Sequence, residues 1–175
     1  MYKEGEKIPQ VNFVFRENDV FVTKNTSELF DGKRVVIFSL TGAFTPTCSA
    51  YHLPGFENKY DDFIGLGIDD IYCISVNDVF VMNAWAKDHN IGKVKMIPDG
   101  NTYFTTGMEM LVNKSNLGFG DRSWCYAAII DNGNIEKMFV EAGKSDNEDS
   151  NPYEQSTPEV VFEYVKSTIR ETVSL

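Results

Sequence analysis

The sequence lacks most features that would mark a secreted, membrane-spanning or nucleic-acid-binding chain. Only three of its 175 residues are cysteine, namely Cys48, Cys73 and Cys125. They are odd in number, far apart and without a Cys-x-x-Cys pair, which excludes the disulfide framework of a small secreted domain. A reducing, cytoplasmic setting is expected. No apolar run approaches the roughly 20 residues needed to cross a bilayer. The opening Met1-Tyr2-Lys3-Glu4-Gly5-Glu6-Lys7 lacks the apolar core of a secretory signal. Cations are scarce: 16 Lys and Arg stand against 26 Asp and Glu, a formal net charge of -10. With no basic run to offset this, neither nucleic acid nor an anionic membrane is an expected partner. Two histidines and three separated cysteines do not make a zinc site. Repeats, low-complexity tracts and linkers are also missing, so residues 1–175 are expected to form one domain.

What is present is an alternation of strand-like and helix-like patterns, the signature of an α/β domain. Val11–Phe15 and Val20–Thr23 read as short strands around Glu17-Asn18-Asp19, and Ser27–Phe30 as a one-turn helix. Val35–Phe38 and Ile71–Val76 are continuous apolar runs, as expected of strands buried on both faces. Cys48 to Phe63 reads as a helix bent at Pro54 and ended by Gly65 and Gly67. Asn77-Asp78 offers an N-cap to a helix over Val79–His89; Lys95–Pro98 follows as a strand and Tyr103–Thr106 as a short helix. Trp124–Ile130 and Ile135–Val140 flank Asp131-Asn132-Gly133, a hairpin signal. Ser156-Thr157-Pro158-Glu159 combines a capping box with a first-turn proline, and Val161, Tyr164, Val165 and Thr168 then recur at helical spacing. The order is that of a thioredoxin-like fold: a central mixed β-sheet flanked by helices, with an added N-terminal β-hairpin.

Cys48 lies where a buried strand feeds a loop and then a helix. First-turn N–H groups are unpaired and carry partial positive charge. A thiol there is held as thiolate, the nucleophilic form. Thr45, three residues earlier, can hydrogen-bond both the sulfur and an oxygen substrate. Pro46 fixes the backbone so that the amides of Thr47 and Cys48 converge on one point, an arrangement suited to an anion or a peroxide oxygen. On spacing alone a second account stands equally: a lone cysteine as a small buried hydrophobe. His52, four residues on and on the same helix face, raises the further option of a Cys–His hydrolase, but no orienting Asn or Asp occupies a recognisable position.

Three blocks decide between these. Gly42-Ala43-Phe44-Thr45-Pro46-Thr47-Cys48-Ser49 followed by His52-Leu53-Pro54-Gly55-Phe56, then Ser75–Val81 with Trp85, then Gly120–Trp124 with Tyr126, resemble the peroxiredoxins of the type-five subfamily, called type II in plants. The resemblance implies that Cys48 attacks a peroxide O–O bond and becomes a sulfenic acid. It implies that Thr45 and the Thr47 and Cys48 amides hold the peroxide, and that glutathione, glutaredoxin or thioredoxin recycles the enzyme. No metal, flavin or haem cofactor is implied, and the relatives commonly form homodimers.

Two positions depart from the family pattern. Seven residues before the cysteine the family has proline, where this chain has Thr41; a wetter, looser site is expected. Where relatives read Trp-Arg-Tyr, with the arginine reaching the sulfur, this chain reads Trp124-Cys125-Tyr126. Losing such a preorganised donor costs about 3 kcal/mol, or 10²–10³ in rate. Arg122 is three residues away, so period-two alternation sends it to the opposite face from Cys125 unless a bulge intervenes. Thr41, Thr47 and Cys125 are thus expected to line the peroxide pocket. Cys125 either traps the sulfenic acid as a disulfide or merely fills space, and the enzyme reading stands beside that of a slow redox sensor or binding module. Cys73 is expected in the core, His89 in solvent, Trp85 as a buried anchor and Trp124 at an interface. Met108 and Met110 are expected in core packing or at a substrate entrance, and Asp146–Asp149 in a solvated loop.

Overall fold

Alternate side chains of a strand point to opposite faces, and in the computed structural model, which describes residues 3–169, that alternation builds two separate apolar layers. Met1 and Tyr2 of the opening segment lie outside the described residues. The elements are β1 (Asn12–Glu17), β2 (Val20–Asn25), α1 (Thr26–Phe30), β3 (Arg34–Ser39), α2 (Leu53–Gly65), β4 (Asp70–Ser75), α3 (Val79–Asp88), β5 (Lys95–Pro98), α4 (Tyr103–Gly107), β6 (Leu111–Asn113), β7 (Asp121–Ser123), β8 (Tyr126–Asp131), β9 (Asn134–Val140) and α5 (Pro158–Ser167).

The central sheet runs β5-β4-β3-β8-β9. β3, β4 and β5 are parallel, whereas β8 and β9 pair antiparallel, making the sheet mixed. Val36, Phe38, Ile71, Cys73, Ala127 and Ile129 face one layer, packed against Phe56 and Phe63 of α2, Met82 and Trp85 of α3, and Val161 and Val165 of α5. Val35, Ile37, Tyr72, Ile74, Ala128 and Ile130 face the other, against Phe13, Phe30 and Phe104. The N-terminal hairpin β1-β2 forms a sheet of its own. This is the thioredoxin-like arrangement expected from the sequence.

Local signals explain most boundaries. Asn132 (φ 49°) and Gly133 (φ 77°) form the two-residue turn between β8 and β9, the left-handed pair that matches strand twist. Asp78 caps α3 by accepting from Val81 N at 2.9 Å. At α5 the expected capping box does not form: Thr157 is the cap, and Ser156 Oγ instead donates to Glu141 Oε2 at 2.6 Å. The short pairing of β6 with β7 had no sequence signal beyond Leu111-Val112.

Candidate functional site

Leaving the buried strand β3, the chain turns through Phe44 at φ +64° and enters a helix at Pro46. Thr45 Oγ1 donates to Gly42 O at 2.7 Å, and Ser49 N donates to Thr45 O at 2.9 Å, so Cys48 lies in the first turn. From Cys48 to His52 the helix widens to a π turn, closed by Leu53 N donating to Cys48 O. Pro54 has no N–H to return to Ala50, and the ladder re-registers through the π turn just before the proline. Trp85 Nε1 donates to Ser49 Oγ at 3.0 Å, tying this turn to α3. Asn77 Oδ1 accepts from Ala43 N at 3.0 Å and from Ser75 Oγ at 2.6 Å, tying the loop to β4. Asn77 was legible only as an alternative cap; its side chain in fact holds the Cys48 loop.

Cys48 is fully buried, so the expected wetter site is not what forms. Thr41 is itself buried and packs its hydroxyl 4.0 Å from Cys125 Sγ. The Cys48 thiol is nevertheless brought down from 9.0 to about 6. The largest cause is a hydrogen bond with Cys125, opposed by burial and supported by Thr45 and by the backbone at Gly42 and Thr41. Charge on the sulfur is therefore met most by the Cys125 side chain, then by Thr45, and less by the strand-side backbone, whereas the sequence pointed to the helix-side amides of Thr47 and Cys48. Thr41 supplies an N–H that a proline at this position would lack. Thr45 and Thr47 are half-buried.

Arg122 corrects the strand-alternation expectation. β7 pairs with β6, β8 pairs with β3, and Trp124 and Cys125 lie between them in neither strand. Trp124 N donates to Met110 O at 2.7 Å, and Cys125 O accepts from Glu141 N at 3.2 Å. The period of two is broken there, and Arg122 returns to the Cys48 loop, donating from Nη1 to Thr41 O at 3.3 Å. It interacts with the Cys48 charge. The carbonyl it grips belongs to the peptide whose N–H is that of Gly42, so the guanidinium polarises a donor aimed at the sulfur. A Cβ at Gly42 would collide with Arg122 Nη1, so a larger residue there would displace the guanidinium.

Behind the sulfurs lies a buried polar wall. Glu141, almost fully buried, accepts from Glu154 N (2.9 Å), Gln155 N (3.0 Å), Ser156 N (2.7 Å) and Ser156 Oγ (2.6 Å). The strap it holds puts Asn151 Oδ1 3.4 Å from Cys125 Sγ and packs Tyr153 edge-on to His52. His52 is buried, with Nε2 3.2 Å from Ser156 O, and burial pushes it down to about 4. A neutral imidazole packed on Phe38 and Phe56 is a wall, not the base of a hydrolase. No sequence motif flagged Glu141 or Asn151.

The remaining expectations sort simply. Cys73, Met108, Met110 and Trp85 are fully buried. Trp124 is a core residue rather than an interface one, its Nε1 donating to Glu141 O at 2.7 Å. His89 is only partly exposed, packed on Phe44 and Trp85. The Asp146–Asp149 loop is exposed but docked, Asp146 Oδ1 accepting from Asn113 N at 2.8 Å. Among the described residues, no three His, Cys, Asp or Glu side chains gather as a metal site, and no helix is long and apolar enough to cross a membrane.

Comparison with known proteins places this geometry in company. The Redoxin family model matches residues 3–156. The hybrid peroxiredoxin hyPrx5 of Haemophilus influenzae is 48% identical over 174 residues, covering 98% of this chain and 70% of that protein. Peroxiredoxin-2C of Arabidopsis thaliana is 39% identical over 142 residues, covering 79% of this chain and 87% of that one. The crystal structure of the Plasmodium falciparum antioxidant protein, a 1-Cys peroxiredoxin, superposes with a TM-score of 0.90 at 44% identity, covering 94% of this chain and 99% of that chain.

Proposed function

Because the chain belongs to the peroxiredoxin family, we propose that it is a single-domain thiol peroxidase in which Cys48 is the peroxidatic residue. The thiolate attacks the terminal peroxide oxygen: an S–O bond forms, the O–O bond breaks, and the departing alkoxide or hydroxide takes up a proton from solvent. Cys48 is left as a sulfenic acid. The observation that carries this reading is a buried cysteine in the first turn of a helix, beside Cys125, Thr45 and the Gly42 and Thr41 backbone, which together draw its thiol below its ordinary value.

Acidity alone does not supply the rate. At pH 7 a thiol of pKa about 6 is about 90% thiolate against about 1% at 9.0. The less basic thiolate, however, loses roughly 20-fold in intrinsic nucleophilicity. The net gain is only several-fold, so most of the acceleration has to come from orienting and polarising the peroxide. Thr45 and the Thr47 amide take that role on the helix side, and the Thr41–Gly42 peptide gripped by Arg122 takes it on the strand side. An external thiol (glutathione with glutaredoxin, or thioredoxin) completes the cycle.

Steady-state consumption of hydrogen peroxide and an organic hydroperoxide, driven in turn by glutathione, glutathione with glutaredoxin, thioredoxin and dithiothreitol, tests the proposal. Catalytic consumption with at least one of these is expected. Because a thiol stands at position 125 in place of a guanidinium, a slow redox sensor is the second reading. One oxidation per chain with no turnover by any thiol would select it over the enzyme.

A further inference from the structure

We propose that Cys125 is the resolving thiol of this site, closing an intrachain disulfide with Cys48. The proposal rests on the reading of Cys48 as the residue that peroxide oxidises.

The two cysteines are distant in sequence but are brought together by the pairing of β3 with β8. Ser39 lies opposite Tyr126 in that register, so Cys125 stands across from the start of the Cys48 loop. Both cysteines are buried in the same apolar layer, and each is the largest influence on the other's acidity. Thr41 links the pair: it lies in the loop that leads to Cys48, and its hydroxyl lies 4.0 Å from Cys125 Sγ. The two positions where this chain departs from the family pattern therefore touch each other. All three cysteines are free thiols in this structure.

Chemistry and access both favour the pair. Cys48 is fully buried and Cys125 nearly so, so a tripeptide thiol has to open the site before reaching the sulfenic acid. Cys125 is already in place, and even an effective concentration of ~1 M exceeds millimolar external thiol by about 10³. In the reduced state the Cys48 charge and its hydrogen bond hold the proton on Cys125. Oxidation removes that charge and frees the proton to leave. The Cys125 sulfur then attacks the Cys48 sulfur: the S–S bond forms, the S–O bond breaks, and hydroxide departs with the Cys125 proton as water. Two thiols have lost two electrons to one peroxide, and an external dithiol, or two monothiols, returns them. Cys73 is a poorer candidate. It lies across β3 from β8, and burial holds its thiol protonated.

The test oxidises the fully reduced protein with one equivalent of hydrogen peroxide, without reductant, in the presence of dimedone, followed by alkylation and non-reducing peptide mass spectrometry. In the parent a linked Cys48–Cys125 peptide is expected to dominate. In Cys125→Ala the dimedone adduct on Cys48 is expected to rise at least ~10-fold; Cys125→Ser provides a second background of nearly equal volume. A Cys48 adduct in the parent with no linked peptide would overturn the resolving role while leaving Cys48 peroxidatic. A Cys48–Cys73 link, or links only between chains, would overturn it equally. Oxidation that spares Cys48 altogether would instead remove the peroxidase reading on which it rests.

Discussion

Replacing Cys48 with serine is expected to lower peroxide consumption by on the order of 10³-fold or more, to the rate of the thiol reductant alone. A serine hydroxyl stays protonated at neutral pH and is a poor nucleophile toward an O–O bond, whereas the parent sulfur is mostly thiolate. The surroundings cannot rescue it. Thr45 and the Gly42 and Thr41 backbone favour a charged sulfur at this position, and His52 is a neutral group anchored on Ser156 O. Cys73→Ala, in the same apolar layer but in the middle of β4, is the matched control and should leave the rate unchanged. A Cys48→Ser protein as fast as the parent would mean that another group performs the reaction. Steady-state assays of the three proteins, with thermal melts to exclude unfolding, decide this.

The second large effect is expected at Glu141, a residue with no part in the chemistry. Its carboxylate collects three backbone N–H groups and one hydroxyl from Glu154, Gln155 and Ser156. Truncation to alanine strands these donors where water is largely excluded, and each such loss costs about 1–3 kcal/mol before relaxation. A net destabilisation of about 3 kcal/mol is expected, lowering the melting temperature by roughly 6–12 °C for a chain of this size. The strap from Asn151 to Ser156 should also loosen over Cys125, so maleimide labelling of Cys125 is expected to accelerate in Glu141→Ala below its melting range. Glu141→Gln, which keeps the shape and one acceptor oxygen, should lose less. An alanine variant with an unchanged melting temperature and unchanged labelling would show that the carboxylate does not hold the strap.

Much of this architecture is written locally. Val35–Phe38 and Ile71–Ser75 are apolar without interruption because both faces of the sheet are covered. Asn132-Gly133 determines its turn by backbone sterics alone. The Thr45-Pro46-Thr47-Cys48 run places the thiol in a first helical turn through hydrogen bonds spanning three or four residues. What could not be read depends on long-range accounting. Period-two reasoning fails at Arg122 because Trp124 and Cys125 bond to Met110 and Glu141 rather than to a neighbouring strand, and no local signal marks that break. Ser156 is a good cap by sequence, but a buried carboxylate fifteen residues away claims its hydroxyl. Thr41 was expected to admit water; its contact with Cys125 lies across 84 residues of chain and fills the space instead.

The central claim is that Cys48 acts as a preformed thiolate, and the pH dependence of its first oxidation tests it most directly. Stopped-flow mixing of reduced Cys125→Ala protein with hydrogen peroxide would confound the measurement, since Cys125 is the largest cause of the raised Cys48 acidity; the parent is the protein to use. Its second-order rate constant, followed by tryptophan fluorescence because Trp85 is bonded to Ser49 beside the sulfur, should be flat at neutral and alkaline pH. It should fall as pH drops through about 6, where Cys48 takes up its proton. His52, pushed down to about 4, stays neutral through that midpoint and does not account for it. A rate that instead climbs through neutral pH toward a midpoint near 9.0, the ordinary thiol value, would contradict the account.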